Sequence, residues 1–313
     1  MLRKKKYIVR RYEGNPILTG KDFPNDIVTV FNSAVVKQGP KRYTMICRCE
    51  DSALGRYMWI ADSPDGIHFK PRPAPVAMPK GDPVFDEYCH ETWSYWDPRC
   101  VKLGRWYYVT HAAHTRHGCA LGLFRTDASF DKFEWLGLIM PPDNRNGVLF
   151  PEKIGGRYVM LHRPNVSGCM DTWIGSSPDL VNWGNHRCLV RKSATGWSYT
   201  KIGPGAVPIK TPEGWLCIIH GVRTQCAQHY VYQLGVMLLD LQNPYRVLGV
   251  SRRAILQPEE MYELVGQTPS VVFTNAAIPE PDGTVKIYYG GADTVQCLAF
   301  AHIKDLIYAA KHE

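Results

Sequence analysis

Short runs of apolar residues, many of them alternating with polar ones, follow one another along almost the whole chain. TVFNSAVV (29–36), RYTMICRC (42–49), WYYVTHAA (106–113), YVMLHRP (158–164), WLCIIHGV (215–222) and VKIYYGGA (285–292) are typical. They are rich in β-branched and aromatic residues and bounded by Gly, Pro, Asp and Asn, the signature of strands separated by tight turns. A helical period shows only at the end, in DLIYAAKHE (305–313). The pattern predicts an all-β protein.

A loose repeat narrows the architecture. A strand running into a small or polar turn recurs at ADSPDG (61–66), RTD (125–127), GSSPD (175–179), LDLQN (239–243) and AHIKD (301–305). The copies lie roughly 50 to 65 residues apart, a little more than one four-stranded blade with its loop. Five copies predict a five-bladed β-propeller occupying residues 1–313 as a single domain; a β-sandwich with long loops is the competing arrangement. In a propeller the innermost strand of each blade faces the centre, so polar residues set into those strands converge on a central pocket.

Composition adds limits. The 313 residues are 45% hydrophobic, enough for one large core. The basic start, MLRKKKY, has no apolar stretch behind it, and no segment is long enough to span a bilayer, so a cytoplasmic protein without membrane association is expected. The ten cysteines are irregularly spaced without CxxC pairs, and Cys47, Cys217 and Cys297 lie in apolar runs, so they read as reduced core residues. The net charge of +8 suits an anionic ligand, while the scattered basic residues and the lack of a nucleic-acid motif argue against DNA or RNA. Walker, GxGxxG and GxSxG motifs are missing, and neither zinc-protease nor calcium-loop spacing occurs, so neither metal nor organic cofactor is expected.

The informative residues are polar ones placed where a strand would carry apolar ones: Asn32, Arg48, Asp51, Asp97, Arg145, Asn146, Arg163, Lys201, His220 and Asp293. Asp97 precedes a proline and follows Trp93, Tyr95 and Trp96, an apolar setting suited to a general acid; a turn aspartate before proline is the plainer reading. Arg163, Lys201 and His220 arise from strand contexts in which unpaired charge is expensive. If they converge, a small multivalent anion such as phosphate is their natural partner; taken singly, each also reads as a core histidine or a salt-bridged cation. Glu152, His162, His90 and Glu91 are candidate supporting groups.

NPIL (15–18), VFNSA (30–34), CRCED (47–51), DPR (97–99), LFPEKIGGRYVMLHRP (149–164), KIGPGAVPIKTPEGW (201–215), HGV (220–222) and YYGGADT (288–294) together resemble glycoside hydrolase family 130, in one order over nearly the whole chain. The resemblance implies a five-bladed propeller that cleaves β-mannosides by inverting phosphorolysis, with inorganic phosphate as co-substrate and α-mannose 1-phosphate as product. It implies Asp97 as the general acid, acting through the mannose 3-hydroxyl, and Arg163, Lys201 and His220 as the phosphate site. Asn32, Arg48, Asp51, Arg145, Asn146 and Asp293 would bind the substrate. Trp96 stands where the family pattern carries an acidic residue. Acceptor recognition falls to loops 80–96, 114–118 and 223–230; β-1,4 linkages to glucose, N-acetylglucosamine or mannose rank ahead of β-1,2, and a homo-oligomer is expected. The alternatives are a β-mannosidase with a water-activating carboxylate, a mannoside-binding propeller without turnover, and a glycosidase in which Asp51 and Glu152 meet Asp97.

Overall fold

The computed structural model describes residues 8–24, 26–79, 95–115, 117–166, 168–193, 196–225 and 229–312. Its strands form five antiparallel sheets. Blade I comprises Ile27–Gly39, Arg42–Asp51, Arg56–Ser63 and Lys70–Pro71; blade II comprises Tyr95–Leu103, Trp106–Thr115, Gly118–Thr126 and Phe133–Met140. Blade III is built from Asn144–Leu149, Tyr158–Pro164, Thr172–Ser177 and Gly184–Val190. Blade IV contains Lys201–Pro204, Gly214–Thr224, Tyr230–Leu239 and Val247–Val250, with Ile209–Thr211 also paired to its second strand. In blade V, Val272–Pro279, Thr284–Gly291 and Val295–His302 are joined by Arg10–Arg11 from the other end of the chain. The expected five-bladed propeller is the observed fold.

Sheets with two apolar faces need cover on both, and the core supplies it between neighbouring blades. Met58, Ile60, Tyr107 and Phe124 fill the space between blades I and II, and Leu121, Leu123, Leu149 and Met160 lie between blades II and III. Trp215 and Phe150 meet edge to face between III and IV. Leu234, Val236, Ile287 and Tyr289 pack between IV and V, and Trp59, Cys47, Tyr288 and Leu298 between V and I. Cys47, Cys217 and Cys297 are buried free thiols, as their apolar contexts predicted, and so are Cys49, Cys100 and Cys119, whereas Cys169 is exposed and Cys188 half-buried rather than in the core.

The repeated turn has a physical basis. After the third strand of blades I to IV an aspartate side chain accepts backbone N–H bonds two or three residues ahead: Asp65 from Ile67 and His68, Asp127 from Ser129, Asp179 from Val181 and Asn182, Asp240 from Gln242 and Asn243. The fifth copy behaves differently. There the chain enters the helix Ile303–His312, because the outer strand of blade V comes from the N-terminal side. Among the described residues no helix is long and apolar enough to cross a membrane.

Candidate active site

The innermost strands of blades I, II and III share one irregularity. Register shifts between Phe31 and Ala34, between Trp96 and Arg99, and between Arg145 and Val148. Each bulge holds a residue with positive φ: Asn32 at 48°, Asp97 at 51° and Asn146 at 58°. Asn and Asp are the non-glycine residues that tolerate this region best, and a bulge re-aims a side chain out of the regular alternation.

The bulges bring Asn32 to Asp97. Asn32 Nδ2 donates to Asp97 Oδ1 at 3.0 Å, and Arg48 Nη1 donates to the same oxygen at 3.0 Å. Among the described residues nothing donates to Oδ2, which leaves that oxygen as the one free to exchange a proton with a ligand. Arg48 is held from the other side by Glu50 at 2.7 Å, and Gln267 donates to the second Glu50 oxygen at 3.1 Å. The Arg48 guanidinium also lies over the Phe31 and Trp96 rings, at 4.1 and 5.2 Å from their centroids. Asp293, in the turn after Thr284–Gly291, again has positive φ, and burial pushes its carboxyl up to about 6, with the Asp97 charge adding to the rise and Arg48 opposing it.

Next to this acidic pair lies a concentration of positive charge. Arg145 and Arg163 stand directly opposite each other on adjacent strands of blade III, a pairing of like charges that destabilises a sheet on its own. Lys201 approaches from blade IV, its pKa lowered to about 8 by burial and then by repulsion from Arg163 and Arg145. Burial chiefly lowers Arg163 as well, to about 10. Among the described residues, none of the three pairs with a carboxylate. The Nε atoms of Arg145 and Arg163 are buried with no hydrogen-bond partner. Arg163 Nη1 lies 2.8 Å from His220 Nε2. Arginine can only donate, so this nitrogen accepts, and the imidazole is neutral with its proton on Nδ1. Burial foremost, then Arg163, Arg99 and Lys201, drives the His220 pKa well below the usual range in the same direction.

The sequence and fold of known proteins agree on a family. The glycoside hydrolase family 130 model described as beta-1,4-mannooligosaccharide phosphorylase matches residues 3–312. The chain belongs to glycoside hydrolase family 130. A beta-1,4-mannooligosaccharide phosphorylase of Ruminococcus albus is 34% identical to this family 130 chain over 98% of its length and 92% of the relative's. A beta-1,2-mannobiose phosphorylase of Listeria innocua is 38% identical over 82% of this chain and 69% of its own. The solved Listeria innocua beta-1,2-mannobiose phosphorylase, in complex with beta-1,2-mannobiose, superposes with a TM-score of 0.86 at 30% identity, covering 97% of this chain and 99% of that one.

Within this family 130 propeller, Asn32, Arg48, Asp97 and Asp293 form one linked group, and Arg145, Arg163, Lys201 and His220 another. Asn146 shares the blade III bulge, and its Nδ2 is buried without a partner. Asp51 is elsewhere. Its Oδ1 accepts from the Ala53 and Gly55 N–H groups and its Oδ2 from the Tyr57 hydroxyl, all within its own hairpin. Strand alternation explains this, because Arg48 and Glu50 share a face of Arg42–Asp51 and the next residue takes the other. Glu152 pairs with Lys210 in an exposed ion pair, so Asp51, Glu152 and Asp97 do not meet. His162 lies against Asn144 and His186 and is held neutral, its pKa lowered to about 3 mainly by burial. His90, Glu91 and Trp93 lie outside the described residues.

Glu50, Gln267, Arg99, Asn275 and Tyr232, whose hydroxyl accepts from Lys201 Nζ at 3.4 Å, also belong to the site although the sequence pattern does not mark them. Arg99 is buried and donates to the carbonyls of Gly205 and Asp97, tying the acid's strand to blade IV. Asn275 donates to the Pro98 carbonyl at 3.0 Å. It stands in the bulge of the blade V inner strand, between Thr274 and Ala276, so the recurring Asn or Asp before a small residue or proline was the available signal. Among the described residues no three His, Cys, Asp or Glu side chains gather as metal ligands.

Proposed function

We propose that this chain is an inverting β-mannoside phosphorylase, acting on β-1,4-linked manno-oligosaccharides or on mannose linked to glucose or N-acetylglucosamine. The observation that carries the reading is the opposition of Arg145 and Arg163 beside Lys201, three buried or half-buried cations without a carboxylate among the described residues. Leaving charges unpaired away from water is costly, and a multivalent anion bound between them removes the cost. Phosphate needs cations to hold it in line, whereas water needs a carboxylate to deprotonate it.

In the reaction a phosphate oxygen forms a bond to the anomeric carbon from the face opposite the leaving oxygen, and the glycosidic carbon–oxygen bond breaks. Asp97, through Oδ2, supplies the proton that the leaving oxygen takes up, and the proton carried by hydrogen phosphate restores the acid. The products are α-mannose 1-phosphate and a sugar shortened by one unit. Arg163, Lys201 and Arg145 hold phosphate, and neutral His220 orients Arg163 and holds it in place. Asn32, Arg48, Asn146 and Asp293 hold the mannosyl unit. Phosphate is a co-substrate, and the proposal includes no cofactor.

The test is product analysis on a panel of β-1,4- and β-1,2-linked mannosides, with and without inorganic phosphate. Mannose 1-phosphate formed only when phosphate is present is the expected result, with β-1,4 substrates turned over fastest. Free mannose released at the same rate without phosphate would establish hydrolysis and overturn the assignment.

A further inference from the structure

A cavity of about 1030 Å³ lies away from Asp97, on the flank where blade IV, the Ile303–His312 helix and the segment around Arg11 come together. Its floor is built. Trp197 lies flat across two strands of blade IV because those strands carry glycine beneath it, where a Cβ on Gly221 or Gly235 would come within 2.3 Å of the indole. The ring is pinned by its Nε1–H, which donates to the Ser251 carbonyl at 3.3 Å, and Gln233 donates to the Trp197 carbonyl at 3.4 Å.

The walls carry Arg223, Arg252 and Arg253, none of which forms an ion pair with a described residue. The Nε of Arg223 is buried without a partner. The one acidic side chain among the described lining residues, Glu259, is engaged by Arg11 at 3.4 Å and by Gln257 at 3.1 Å. Arg223 is half-buried and Arg252 and Arg253 are exposed, so the wall is basic with no paired counter-charge among the described residues, and planar guanidinium forks match phosphate oxygens. The space greatly exceeds a bare phosphate, and Tyr199, 52% exposed at the rim, offers a ring face to an organic group.

We propose that this flank cavity is a second anion site that takes a small organic phosphate of the sugar-phosphate class, distinct from the cations around Lys201. Binding there does not depend on the reaction assigned above.

Calorimetric titration of the full chain with mannose 1-phosphate tests it, with inorganic phosphate and mannose as separate titrants. The unaltered protein should bind two equivalents of the sugar phosphate, and Arg252→Glu/Arg253→Glu should bind one while retaining its catalytic turnover. A protein silenced at the centre by Arg163→Ala/Lys201→Ala should keep one equivalent, weakened at least about tenfold on adding the two charge reversals. Binding whose stoichiometry and affinity survive the reversals, whether one equivalent or two, would overturn the proposal. Tighter binding of inorganic phosphate than of mannose 1-phosphate at the flank would overturn the ligand class. Failure of the mannoside assay alone would leave these titrations unaffected.

Discussion

Lys201 is the residue whose chemistry is most exposed to pH. Its folded pKa of about 8, against an ordinary 10.5, means that the ligand-free protein carries this charge only below about pH 8. We expect phosphate affinity to fall by up to about tenfold per pH unit above that point, and Lys201→Arg to flatten the alkaline limb, because a guanidinium stays charged there. Stability moves the other way. The unfolded chain holds the proton up to about 10.5, so it binds more protons than the folded chain between the two values, and the cost of burying Lys201 falls as pH rises through that window. A pH series of phosphate KM beside a series of melting temperatures separates the two effects. Asp97→Asn is expected to lower turnover by about a hundredfold or more without loss of the fold, as general acids typically contribute that much; turnover within threefold of the parent would remove Asp97 from the role. At this scale the residue types were readable because polar groups in apolar strands are conspicuous. The exchange of Asp51 for Glu50 was readable too, from the period-two alternation that puts Glu50 on the same face as Arg48.

At the scale of a strand, the inner edge of blade IV works by being narrow. His220 stands opposite Gly203 in the ladder, and a Cβ on Gly203 would come 2.6 Å from His220 Cε1 and 3.1 Å from Arg163 Cδ. Gly203→Ala should therefore push the Arg163–His220 pair apart, raising the phosphate KM several-fold and costing about 1–3 kcal/mol in a denaturant titration. Mannoside affinity should change little, because the Asn32, Arg48 and Asp97 bonds lie in blades I and II. Bulges at Asn32, Asp97 and Asn146 were foreshadowed by Asn or Asp before a serine, proline or glycine within a strand. Which oxygen of Asp97 would be tied down and which left free was not foreshadowed, since it depends on two side chains arriving from another blade.

For the whole molecule, closure of the ring is the element most open to a direct test. Arg11, in the strand that completes blade V, donates to both oxygens of Glu263 at 2.8 Å, and Glu263 is fully buried beneath Tyr289. Arg11→Ala strands that carboxylate and should cost about 3 kcal/mol, with a lower melting temperature and little change in phosphate KM. A neutral outcome would mean that the Arg11–Glu263 ion pair contributes little to closure. The chain by itself determined the strand content, the five repeats and the residue types suited to an anion and a sugar, because these follow from local periodicity, turn chemistry and the cost of isolated charge. Tertiary structure decided which of those residues meet. Arg145 faces Arg163, His220 becomes a neutral acceptor, Asp51 turns away and Trp197 floors a second cavity, because each outcome depends on strand register and on neighbours far apart in sequence.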